Sequence, residues 1–160
     1  MINIKLPDGK VVQYPKGVTP ITVAKDISEG LARSVISARF NNRKVETVTP
    51  LEEDGDLVLY TWRDEEGKKA FWHSSSHVVA QALEELYPGI KLTIGPAIDT
   101  GFYYDVDFGD HHISEKDFPT IEKRAMEIAR SKHDFKMREV SKADALAFYK
   151  KQENPYKVEL

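Results

Sequence analysis

Ile2-Asn3-Ile4-Lys5-Leu6-Pro7-Asp8-Gly9-Lys10-Val11-Val12-Gln13-Tyr14 opens the chain. Residues 2–6 alternate apolar and polar side chains, the period of a half-buried strand. Pro7-Asp8-Gly9-Lys10 reads as a turn, because proline fixes φ and glycine accepts a positive φ. Val11 to Tyr14 then returns as the second strand of a hairpin.

Thr19-Pro20 follows as a helix start, with proline just inside the first turn. Ile21, Ala24, Ile27 and Leu31 fall at helical spacing behind it. Residues 35–40, 43–48 and 57–62 read as further short strands, punctuated by Asn41-Asn42 and Asp54-Gly55-Asp56. Two strands, a helix and more strands within this length fit a β-grasp, ubiquitin-like fold, although a small barrel would give similar signals. The charged, glycine-centred run Arg63-Asp64-Glu65-Glu66-Gly67-Lys68-Lys69 reads as a linker. It divides a first domain, residues 1–62, from a second, residues 70–160.

The second part opens with a helix expected from Ala70 to Leu86 and stopped by Pro88-Gly89. Residues 91–94 and 102–108 are strand candidates flanking the turn 96–101. Ser114 with Asp117 suggests a cap on another long helix reaching Lys132, with Ile121, Ala125, Ile128 and Ala129 on its buried stripe. Residues 135–140 read as a strand, Ser141 begins a short helix, and residues 156–160 begin an unpartnered strand. On that reading the fold class is α+β, and the chain is a fragment.

Composition narrows the function classes. Of 160 residues, 41% are hydrophobic and 31% charged, an ordinary globular balance. Neither a membrane span nor a secretory leader is visible, so a cytoplasmic protein with no membrane partner is expected. There is no cysteine, so any metal site must use His, Asp or Glu. The net charge is −3; residues 1–62 carry 8 basic and 8 acidic side chains, and the remainder 15 and 18. A strongly basic nucleic-acid module is therefore excluded, and any RNA must be held locally.

His73 and His77 carry the chemistry. At about 100° per residue, their spacing sets both rings on one side of a helix, a turn apart. Trp72, Val79, Leu83 and Leu86 form an apolar stripe rotated away from them. Three readings fit: two solvated histidines, half of a metal site, or a polar pocket in which one imidazole activates water. Ser74 stands where a zinc protease needs its glutamate, which argues against that class. His111, His112 and His133 are placed in a turn and near a helix end, with no role assigned.

Trp72-His73-Ser74-Ser75-Ser76-His77, followed by Ile94-Gly95-Pro96-Ala97-Ile98-Asp99-Thr100-Gly101-Phe102-Tyr103-Tyr104-Asp105, closely resembles the threonyl-tRNA synthetase family. Pro155-Tyr156-Lys157-Val158 resembles a later segment of its editing domain, and residues 1–62 look like its TGS domain. The His-x-x-x-His pair alone is shared with alanyl-tRNA synthetase editing domains; the longer run is the specific signal.

The resemblance implies a β-grasp TGS domain followed by a truncated α+β editing domain. It also implies a parent enzyme that charges tRNA(Thr) with threonine using ATP and hydrolyses mischarged seryl-tRNA(Thr). A missing methyl is worth only about 1–3 kcal/mol of discrimination, so such enzymes proofread. By the same resemblance His73, His77 and Lys157 are the catalytic editing residues present, with His73 preferred as the water-activating base. Gly95 and Tyr104 would bind substrate. His73 and His77 are the only candidate metal ligands, and none is assigned firmly. ATP, magnesium and zinc belong to an aminoacylation domain outside this chain, and no cofactor is expected within it. Expected partners are the tRNA(Thr) acceptor end and downstream domains of the same protein, in a parent homodimer. The family's Cys-x-x-x-His element is missing, so the isolated chain is expected to be inactive. The competing class is a TGS-containing regulatory or adaptor protein without catalysis.

Overall fold

The computed structural model describes residues 1–133 and 138–159. They form two compact units, Met1–Phe71 and Trp72–Leu160.

The first unit grows from the opening hairpin. Strands β1 (Ile2–Lys5) and β2 (Val11–Tyr14) pair antiparallel, Ile2 opposite Tyr14 and Lys5 opposite Val11. Asp8 Oδ1 accepts the Lys10 N–H at 3.0 Å, and Gly9 N–H donates to the Leu6 carbonyl at 2.9 Å. Helix α1 (Pro20–Ile27) is capped by Thr19, whose hydroxyl accepts from the Thr22 N–H. The sequence suggests one helix continuing to Leu31. Ser28 instead leaves the helical region at φ −169°, and its hydroxyl accepts the Leu31 N–H at 3.0 Å, opening a separate helix α2 (Glu29–Ser34).

Strands β3 (Val35–Phe40), β4 (Arg43–Val45) and β5 (Gly55–Thr61) complete a five-stranded sheet ordered β2-β1-β5-β3-β4. Asn41 and Asn42, at φ 46° and 64°, make the tight turn between β3 and β4. β1 and β5 run parallel, Ile4 opposite Gly55. The sheet is open and mixed, which decides for the β-grasp over a closed barrel. Ile2, Ile4, Val23, Phe40, Leu51 and Leu57 fill the core, with Ile4 and Leu57 at 0% exposure.

The charged run 63–69 is not a loose connector: helix α3 (Glu65–Leu86) starts inside it. Asp64 Oδ2 accepts the Thr61 N–H at 2.7 Å and its hydroxyl at 3.0 Å, fixing the corner between β5 and the helix. Glutamate and lysine are good helix formers, so a segment without apolar anchors still becomes helical. Gly67 serves close packing there: a Cβ would stand 2.0 Å from the Thr61 carbonyl oxygen. Gly67→Ala is expected to destabilise this unit by about 1–3 kcal/mol from overpacking, outweighing about 1 kcal/mol of helix propensity. Chemical denaturation followed by circular dichroism checks this.

In the second unit β6 (Lys91–Leu92) pairs antiparallel with β9 (Val106–Asp107), and β7 (Ala97–Ile98) forms a hairpin with β8 (Gly101–Phe102). The expected strands are thus shorter, and Phe102 belongs to the hairpin. Ser114 and Asp117 make their capping box around a single 3-10 turn, after which α4 runs Phe118–Arg130. Ile128 is buried, Ile121 and Ala125 are half-buried, and Ala129 is exposed rather than on the buried stripe. Arg124 Nε donates to Glu85 Oε2 at 2.6 Å, tying α4 to α3. Of the strand expected at 135–140, residues 135–137 lie outside the described residues, and 138–140 form no regular element. Helix α5 (Lys142–Lys151) starts from its Ser141 cap. The segment read as a terminal strand is a short helix, α6 (Pro155–Glu159), with proline at its first position; Leu160 lies outside the described residues.

Candidate functional site

Which face of α3 packs inward decides where the histidines point. Its buried positions are Gly67, Ser76, Ala80, Ala82 and Leu83. Trp72, Val79 and Leu86 are only half-buried, so small side chains carry the deepest packing. That leaves His73 and His77 exposed on another flank. Their ring centroids lie 4.6 Å apart at 86°, and Nε2 of one stands 3.1 Å from Nε2 of the other. Such a contact needs one nitrogen protonated and its neighbour bare.

His77 is held below its ordinary value of 6.5, first by burial of its ring, then by the charges of His73 and Lys157. Lys157 is half-buried on α6, and its charge acts on His77. Unfolded chains take a proton at His77 as pH falls through 6.5, whereas the folded chain resists until lower pH. Stability is therefore expected to rise with pH up to about 6.5 and then to level off as regards this group. Melting curves across that window check this, and His77→Asn should flatten the slope.

Gly95 and Tyr104 meet, but differently from a ligand-facing pair. A Cβ on Gly95 would fall 2.2 Å from Cδ2 of Tyr104, so the tyrosine ring occupies the space over the glycine. Burial, then the Glu84 carboxylate, pushes the Tyr104 hydroxyl above its usual range.

Ser76, which the sequence reading did not single out, joins these parts. It is 1% exposed, and its hydroxyl donates to the carbonyls of His73 at 2.7 Å and Gly95 at 3.1 Å. A small polar residue at apolar-stripe spacing was its only sequence signal. His77 also borders a cleft of about 250 Å³, with Gln81, Ile128, Lys132 and His133 on its walls. As a metal centre the pair supplies two nitrogens. Among the described residues no group of three His, Cys, Asp or Glu side chains gathers to hold an ion.

Comparison with known proteins follows the same division. The TGS domain family matches residues 2–61, which is the sheet of the first unit. Over all 160 residues the chain is 68% identical to a threonine–tRNA ligase of Flavobacterium johnsoniae, covering 24% of that protein. It is 50% identical to the threonine–tRNA ligase of Cytophaga hutchinsonii and 47% to that of Bacteroides thetaiotaomicron, covering 25% of each. The chain thus spans about a quarter of the length of the curated relatives it matches. The likeness runs through both units, which a regulator sharing only the TGS domain would not give. Among the described residues no helix is long and apolar enough to cross a membrane. By its TGS domain and by identity along its whole length, the chain is closely similar to the N-terminal quarter of bacterial threonine–tRNA ligases.

Proposed function

We propose that this chain serves a cytoplasmic threonine–tRNA ligase as the region that hydrolyses mischarged seryl-tRNA(Thr). The paired imidazoles of His73 and His77, 3.1 Å apart on an exposed flank, carry the reading. Where the rings meet, one bare nitrogen and one N–H face the same point. A water taking that place gives its proton to the bare nitrogen and attacks the seryl ester carbonyl. His73 is the base in this assignment, and His77, kept neutral by its surroundings, orients the water. The carbonyl oxygen becomes an oxyanion, which the Lys157 ammonium stabilises in this assignment. Collapse breaks the acyl–oxygen bond, the ribose oxygen takes the proton back from the imidazole, and serine and tRNA leave.

Charging of tRNA(Thr), with its ATP, magnesium and zinc, belongs in this proposal to parts of a homodimeric parent outside the chain. The TGS domain then has an accessory role, consistent with its balanced charge. Incubating the full-length protein with seryl-tRNA(Thr) and threonyl-tRNA(Thr) tests the reading. Preferential release of serine supports it; equal or absent release of both overturns it.

A further inference from the structure

Two side chains from separate elements grip one stretch of backbone. From α3, Ser76 donates to the Gly95 carbonyl at 3.1 Å. From the residue preceding α6, Asn154 Nδ2 donates to the Leu92 carbonyl at 3.0 Å. The same amide accepts, through Oδ1, the backbone N–H of Lys157 at 3.3 Å. Asn154 therefore both caps α6 and anchors it to β6. One more tether comes from Tyr156, whose hydroxyl donates to Asp107 Oδ2 at 2.9 Å. A helix as short as α6 does not hold itself in place, so its seat is set by such bonds.

We propose that Asn154 is a positioning residue, whose bridge between the Leu92 carbonyl and the first turn of α6 sets the seat of the helix that carries Lys157. The inference rests on the hydrolytic reading above for its catalytic consequence, though not for its geometry. Ser76 and Asn154 hold the carbonyls of Gly95 and Leu92, so the backbone of residues 92–95 is a common rail for the histidine helix and the lysine helix. The charge of Lys157 reaching His77 agrees with this placement. Asn154 need touch no substrate; it acts through Lys157.

Asn154→Asp separates its two tasks. The carboxylate keeps the acceptor for the Lys157 N–H and loses the donor to Leu92. In the full-length protein, N154D is expected to lower kcat for seryl-tRNA(Thr) hydrolysis about tenfold, with KM little changed. Added to Lys157→Met it should cost nothing further, because the two act as a unit. In the chain itself, the His77 ring signals in NMR spectra at one fixed pH should move in N154D in the direction seen for K157M, with the melting temperature retained. Ring signals that respond to K157M but ignore N154D overturn the proposal, as does an additive loss in the double variant. If no variant and no wild-type protein hydrolyses the ester, yet the ring signals respond to both substitutions, the placement stands and the hydrolytic reading falls.

Discussion

Replacing His77 by alanine in the full-length protein is expected to slow hydrolysis of seryl-tRNA(Thr) by about 10²–10⁴-fold, the usual worth of positioned proton transfer. Removing the ring takes away the partner that fixes the tautomer of His73 across the 3.1 Å contact. His73→Ala should cost as much, and the double variant scarcely more, since groups that work as a unit lose their effect together. Threonylation of tRNA(Thr) should continue, so the variant would accumulate seryl-tRNA(Thr). Single-turnover deacylation with labelled seryl-tRNA(Thr) measures this, and an undiminished rate in both single variants would remove the pair from the reaction.

The second large effect concerns stability. Leu57→Ala should destabilise the β-grasp unit by about 2–5 kcal/mol, the range for emptying a fully buried aliphatic site. Leu57 is completely buried on the central strand β5, opposite Phe40 of β3 and within the cluster that holds Ile2, Ile4 and Val23. Small domains have only about 5–15 kcal/mol of stability in total, so the loss is a large share of it. Equilibrium urea unfolding of the variant reads the change directly. A loss below 1 kcal/mol would mean that the sheet repacks around the site.

Legibility from sequence followed the range of the interaction. The opening hairpin was readable because strand period and turn chemistry both lie within thirteen consecutive residues. The juxtaposition of His73 and His77 was readable because helical geometry is local. The run 63–69 reads as a linker from its charge and central glycine, whereas the reason for Gly67, the Thr61 carbonyl at Cβ distance, appears only when the corner is built. Ser76 and Asn154 left little signal because their partners are backbone carbonyls, at Gly95 and Leu92, which no side-chain pattern marks. Gly95 was noticed, but the occupant of the space above it proved to be Tyr104. The helix break at Ser28 was missed because a serine that caps and one that rides within a helix look alike in sequence.

Strand β1 finds its parallel neighbour only in β5, the final strand of its unit. During synthesis, at about 5–20 residues per second, the nascent hairpin waits a few seconds before Gly55–Thr61 leaves the ribosome. A lone hairpin is marginal in water, so the emerging segment has no durable core in that interval. Closure of the sheet is then timed by translation.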